Sequence, residues 1–212
     1  MSNRKTPLVI NEHYHIFNRG VDKRAIFQDK TDLDRFFASM QIFNSIKPIG
    51  SIFESNFPTW RLNRQVATPL VEIIAYCLNL NHFHLILKQV AENGITEYMK
   101  RLSGGYTWYF NNKYKRNGSL FQGTFKSIHI DSDEYLLHLS VYVNLNNKLN
   151  GEIIPLSKSS WGEYVLNDIG ICNPKIILDR YTNKNDYSKF AKSSFENILM
   201  TKNQEKELQG FL

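Results

Sequence analysis

Hydrophobic and polar positions change period several times along the chain, and each change marks an element. His13 to Phe17 is a short aromatic and apolar run of strand character, closed by the turn Arg19-Gly20. From Asp29 to Ile46 the apolar residues Leu33, Phe36, Phe37 and Met40 recur at helical spacing, with Thr31 as N-cap. Val71 to Leu78 and His82 to Lys88 are β-rich runs separated by Asn79-Leu80-Asn81, the pattern of a hairpin turned on asparagine. A helical pattern follows from Gly94 to about Tyr114 and stops at Asn117-Gly118. Phe125 to Ile130 reads as a strand, and Asp131 or Ser132 caps a further helix from Asp133 to about Asn147.

The order βαββαβ predicts an α+β fold, a ferredoxin-like antiparallel sheet with helices on one face. The helix from Asp133 and a C-terminal extension are added to it. Residues 1–150 are expected to form the domain, and 151–212 the extension, with Trp161 and Tyr164 as its anchors. Lys47 to Leu70, with Pro48, Gly50, Pro58 and Pro69, reads as a long connection in which Ser51 to Phe57 is extended.

Composition narrows the class. A chain of 212 residues with 42% hydrophobic, 13% aromatic and 22% charged residues buries a core without covalent staples, which excludes disordered and disulfide-scaffold classes. Cys77 and Cys172 form no C-x-x-C pair, so a reducing, cytoplasmic setting is expected. No run reaches the roughly 20 apolar residues of a membrane span. The formal net charge of +6 is modest, but its distribution is uneven. Between Tyr98 and Ile130 lie Lys100, Arg101, Lys113, Lys115, Arg116 and Lys126, eight aromatics, and no Asp or Glu. Cations mixed with aromatics suit a phosphate backbone with stackable bases, and they equally suit a solvated helix whose aromatics are half buried.

The densest chemical signal is His82-Phe83-His84. Side chains at i and i+2 of a strand leave the same face, so two imidazoles project together while Phe83 points into the core. Two imidazoles are half a metal site, or two polar residues on an exposed sheet face. Tyr142 and Asn146 share one face of the later helix at i and i+4, offering a nucleophile and an oxygen ligand, or a rim tyrosine and a helix-ending asparagine.

Four blocks in order, His15 to Gly20, Leu80 to Leu87, Gly118 to Ser127 and Tyr135 to Asn146, resemble the HUH-type single-tyrosine transposases of simple bacterial insertion sequences, including their relatives associated with repeated extragenic palindromes. The resemblance covers about residues 13 to 165. It implies that His82 and His84 are the family's paired metal ligands, that Asn146 completes the site, and that Tyr142 is the catalytic tyrosine. It also implies a divalent cofactor, Mg2+ or Mn2+, and cleavage of single-stranded, hairpin-associated DNA through a 5′-phosphotyrosine intermediate without a nucleotide cofactor. A homodimer is the expected assembly. Arg19, Lys100, Arg101, Lys113, Lys115, Arg116 and Lys126 are the candidate DNA contacts, and the extension packs on the domain or touches DNA. The family's helix commonly reads Tyr-Ile-His-Leu-Asn-Pro; here Asn144 stands for the histidine and Asn147 for the proline, and Leu80 stands for a frequent proline before Asn81. None of these departures removes a carried-over catalytic group.

Two rival functions share these residues. His13-x-His15 is a second such pair on the first strand, so four imidazoles around zinc or iron would make a metal-dependent hydrolase. A non-catalytic nucleic-acid-binding module would use the same sheet with Tyr142 silent.

Overall fold

The computed structural model describes residues 7–47, 68–148 and 154–210, with side chains described to Thr201 in the last segment. The segment Ser51 to Phe57 and most of its connection lie outside the described residues. Strands β1 (His13–Arg19), β2 (Val71–Asn79), β3 (His82–Gln89), β4 (Lys126–Ile130) and β5 (Lys158–Ser159) form one sheet in the order β4-β1-β3-β2-β5, antiparallel at every pairing. The first four strands, with α1 (Lys30–Ile42) and α2 (Gly94–Lys113), follow the expected βαββαβ order and are compatible with the ferredoxin-like arrangement. β5, a two-residue addition at the β2 edge, carries no periodic signal in the sequence.

Alternation along the strands divides the protein into two cores. Tyr14, Ile16, Phe83, Leu85 and Leu87 enter the core beneath α1 and α2. Ile86, Cys77, Ile74 and Ala75 enter a second core on the other face. A bulge between Ile73 and Ala75 explains how two successive residues of β2 reach that second face. The first core is strongly aromatic: Phe36 packs edge-on against Tyr106 at 4.9 Å and against Phe27 at 5.4 Å.

α3 (Asp133–Leu145) covers the second face. Ser132 caps it by accepting a hydrogen bond from the Tyr135 amide. Leu136, Leu139, Val141, Val143 and Leu145 are all buried, so the helix is enclosed on several sides. The other sides are closed by α4 (Trp161–Val165), α5 (Lys175–Leu178) and the long α6 (Lys184–Gly210), whose Tyr187 and Ala191 belong to the same core. Tyr164 is fully buried and donates its hydroxyl to the Ile74 carbonyl at 2.9 Å, while Trp161 is partly buried beside Tyr187.

Several boundaries differ from the sequence reading for local reasons. α1 is capped by Asp29, whose carboxylate accepts from the Asp32 amide at 3.0 Å, and not by Thr31. It stops at Ile42 because Asn44 turns away to serve β2, accepting from the Leu70 and Val71 amides and donating to the Val71 carbonyl. β1 runs on to Arg19, and the hairpin turns on Leu80-Asn81 alone, with Asn79 already paired to His82. β4 starts at Lys126, and α3 ends at Leu145, followed by a 3-10 turn from Asn146 to Lys148. Among the described residues no helix is long and apolar enough to cross a membrane.

Asp32 is a buried carboxylate at the junction of α1 and α2. It accepts from Lys113 Nζ at 2.7 Å, from the Tyr114 hydroxyl at 2.7 Å and from the Gln28 amide at 2.8 Å. The Lys113 ammonium also holds Asp29 at 2.7 Å, which keeps the Asp29 carboxyl below its ordinary pKa. Removing a partner from a buried charge destabilises more than an exposed pair contributes. Lys113→Met is therefore expected to lower unfolding free energy by about 2 kcal/mol in urea titrations, whereas the exposed Lys115→Met stays within about 0.5 kcal/mol. Equal effects would contradict a structural role for Lys113.

Candidate functional site

His82 and His84 leave β3 on the face opposite Phe83, and the register sets Arg19 beside His82 and Phe17 beside His84 on β1. The His82 Nδ1 lies 2.6 Å from the Asn81 Oδ1, and its Nε2 lies 3.1 Å from the Asn79 Nδ2. An amide nitrogen donates and an amide oxygen accepts, so Nδ1 carries the proton and Nε2 presents its lone pair. That lone pair faces the Asn146 Oδ1, a second acceptor, at 3.3 Å. The Asn79 Nδ2 also donates to that oxygen at 2.6 Å, and the Asn146 Nδ2 is buried without a hydrogen-bond partner.

His84 lies in a drier place. Its Nδ1 is 2.9 Å from the Nε2 of His15, and both rings are buried. Burial drives the His15 pKa down to about 4, and burial followed by the neighbouring His15 and His82 drives His84 well below its ordinary value. Both imidazoles are therefore neutral at neutral pH, one donating to the other. With His84 as donor, its Nε2 is left as a lone pair, and His15 holds the ring in that tautomer.

α3 brings Tyr142 to this pair. Its ring stands edge-on to His84 with centroids 5.4 Å apart and edge-on to His15 at 6.3 Å. Burial raises the phenol pKa, and the Asn146 side chain partly offsets this. Phe17, Arg19, His82, His84, Lys126 and Tyr142 line one open cavity of about 470 Å3, with Asn146 in its wall. Two imidazoles and an amide oxygen are a donor set suited to a divalent cation, and His82 Nε2 and Asn146 Oδ1 already converge, 3.3 Å apart, on the Asn79 amide nitrogen that donates to both. The residues present fit the metal that the resemblance implies.

The candidate basic residues separate into two groups. Arg19 and Lys126 line the cavity, and the Lys126 ammonium lies 6.0 Å from the Phe17 ring centroid. Lys100, Arg101 and Lys113 lie on α2, which packs on the other face of the sheet, and Lys115 and Arg116 follow its end. Arg101 is engaged by Glu97 at 2.9 Å and by the Ser45 carbonyl at 2.6 Å, Lys100 lies 4.0 Å from Glu97, and Arg116 donates to Asn111 at 3.3 Å. Tyr98, Tyr106 and Phe110 from the same stretch are buried in the first core, where no base can reach them. The four-imidazole hydrolase arrangement does not form: His15 joins His84, but the His13 Nε2 is buried without a hydrogen-bond partner. Among the described residues no group of three or more His, Cys, Asp or Glu could hold a metal.

A network absent from the sequence reading fixes α3. Asn144 donates to the Tyr187 hydroxyl at 3.0 Å and accepts from the Ser160 hydroxyl at 2.5 Å; Ser140 lies 3.1 Å from the same phenol. Ser160 in turn accepts from the Tyr76 amide at 2.9 Å. A β2 amide, the β5–α4 corner and α6 thus converge two residues from Tyr142. The usable signal was Asn144 itself, a polar residue between the apolar positions Val143 and Leu145, which needs partners when buried.

Residues 62–146 match the family described as IS200-like transposases, a span that contains His82, His84, Tyr142 and Asn146. Over that span the chain is similar in sequence to that family, as the motifs led us to expect. A search of the curated proteins finds no match. One solved structure, that of a REP-associated tyrosine transposase bound to a REP hairpin, is similar at 14% identity with a TM-score of 0.48, over 77% of this chain and 85% of that one.

The neutral histidine pair sets an acid limit. Its folded pKa is depressed, so the unfolded chain binds protons first and stability falls with pH. His15, moving from 6.5 to about 4, accounts for about 3 kcal/mol lost between those values, with His84 acting in the same direction. Urea midpoints of the chelator-treated protein measured across this window should decline; a flat profile would contradict a buried neutral pair. Tyr187→Phe, which leaves Asn144 Nδ2 and Ser140 Oγ without their shared partner, is expected to lower stability by about 1–3 kcal/mol. No change in its urea midpoint would contradict the clamp.

Proposed function

We propose that this chain, similar in sequence to IS200-like transposases over residues 62–146, cleaves and rejoins single-stranded DNA through a covalent bond to Tyr142. The observation that carries the reading is the edge-on approach of Tyr142 to His84 at 5.4 Å, in a cavity that also presents His82, Asn146, Arg19 and Lys126. A nucleophile, a neutral ligand set and two cations meet on one open face of the sheet.

His82, His84 and Asn146 would hold a divalent ion, Mg2+ or Mn2+. When bound, it supplies Lewis-acid polarisation of a phosphodiester oxygen. Lys126 and Arg19 flank the cavity and hold the phosphates on either side of the scissile one as fixed positive charges. Tyr142 Oη then attacks phosphorus. The Oη–P bond forms as the P–O3′ bond breaks, and the proton lost by the phenol is balanced by the one gained at the departing 3′-oxygen. The products are a 5′-phosphotyrosine and a free 3′-hydroxyl. The reverse attack by a 3′-hydroxyl restores the phenol and rejoins the strand, so bond energy is conserved and no nucleotide cofactor is needed. The resting phenol is protonated at neutral pH, and burial raises its pKa further, so attack requires help in removing the proton.

Substrate form follows from access. The cavity opens along the sheet surface, where an unpaired strand can bend its backbone toward a phenol set on a helix. A hairpin beside the cleavage point is what the family resemblance adds.

Tyr142→Phe is expected to abolish denaturation-resistant protein–DNA adducts formed with a labelled single-stranded hairpin and Mn2+, while binding changes by no more than about twofold, a few tenths of a kcal/mol. Adducts persisting in that variant would place the nucleophile elsewhere. Lys126→Gln should reduce the magnitude of the salt slope of single-strand binding by about 0.7; an unchanged slope would remove Lys126 from the DNA path.

A further inference from the structure

Phe17 is an aromatic side chain whose position the core does not explain. Its neighbours Tyr14 and Ile16 enter the first core, whereas Phe17 is half-buried on the other face and forms part of the cavity wall. Two imidazoles lie beside it on the same face: His15, two residues back on β1, at 4.8 Å and 33°, and His84, its partner on β3, at 5.8 Å and 28°. His15 and His84 are themselves stacked at 5.1 Å and joined by a hydrogen bond, so the ring has fixed neighbours. On the neighbouring strand Lys126 is its register partner, with the ammonium 6.0 Å from the ring centroid.

A half-buried ring flanked by two fixed imidazoles, with an exposed cation 6.0 Å over its centroid and a cavity in front of it, has the parts needed to seat one nucleotide. The ring takes the flat face of a base and the ammonium takes the adjoining phosphate. We propose that Phe17 is the stacking platform for an unpaired nucleobase next to the phosphate presented to Tyr142, with Lys126 holding that nucleotide's backbone. This deepens the function proposed above and rests on it for the identity of the strand as DNA. Because stacking uses a π-face that every base has, the subsite accepts all four bases and selects for an unpaired one. It also sets the reach of the strand. Phe17 is the register partner of His84, so a base seated on it delivers its neighbouring phosphate beside the imidazole that Tyr142 approaches.

The test separates base stacking from backbone attraction without requiring chemistry. Dissociation constants are measured with the full chain for a labelled oligothymidine of twelve nucleotides and for an abasic phosphodiester of the same length. The wild-type chain should prefer the base-bearing strand by about tenfold or more. Phe17→Ala should lose most of that preference while keeping its affinity for the abasic strand, and Phe17→Trp should retain the preference. An undiminished preference in Phe17→Ala overturns the proposal, as does an equal loss of affinity for both strands, which would mark Phe17 as structural. Adduct formation at Tyr142 is scored in parallel. Adducts without a Phe17-dependent preference contradict the stacking platform alone, and a Phe17-dependent preference without adducts contradicts the cleavage reading alone.

Discussion

The site depends on the two-residue alternation of β3. Because Phe83, Leu85 and Leu87 must enter the aromatic core beneath α1 and α2, His82 and His84 are forced to the opposite face. A one-residue slip of this strand would exchange imidazoles for apolar side chains on both faces at once, so the burial of the first core is also what fixes the register of the histidines. β1 obeys the same rule. Tyr14 and Ile16 are core residues, and His15 and Phe17 therefore stand beside His84.

The second face is where structure and function meet. Most of it is closed by α3, α4 and α6 as an ordinary apolar core, but at the His82 end the helix presents Tyr142 and Asn146 to an open cavity. An aim of this kind requires a helix that does not slide, and the Asn144–Tyr187–Ser160 network supplies polar contacts with a single geometry. His15 does similar work for His84 from within the sheet, through one hydrogen bond between buried neutral rings.

Much of this was legible in the sequence because it rested on strong periodicity. The strand pair around His82, the two longer helices and α3 follow from alternation and helical spacing, and the i and i+4 placement of Tyr142 and Asn146 was readable directly. What failed to show depended on partners far away in the chain. Charge counting marked Tyr98 to Ile130 as a basic stretch without acids, yet Lys113 meets Asp29 and Asp32, and Arg101 is engaged by a carbonyl from beyond α1. Likewise Tyr98, Tyr106 and Phe110 of that stretch belong to the core face of α2. The end of α1 was misplaced because Asn44 answers to the β2 backbone and not to its own helix. Tyr187 lies in a segment with weak periodicity, and no local pattern ties it to a helix more than forty positions earlier.

In the proposed function the two imidazoles, an amide oxygen and a phenol form one metal-assisted nucleophilic site. Its most direct test is the anomalous scattering of a crystal of the full chain grown with Mn2+ and a single-stranded hairpin. We expect one manganese peak bonded to the His82 and His84 Nε2 atoms and to the Asn146 Oδ1, with a phosphate oxygen on the same ion and the Tyr142 hydroxyl facing phosphorus. Manganese bound elsewhere, or bound there with the phenol turned away from the phosphate, would rule out metal-assisted attack by Tyr142.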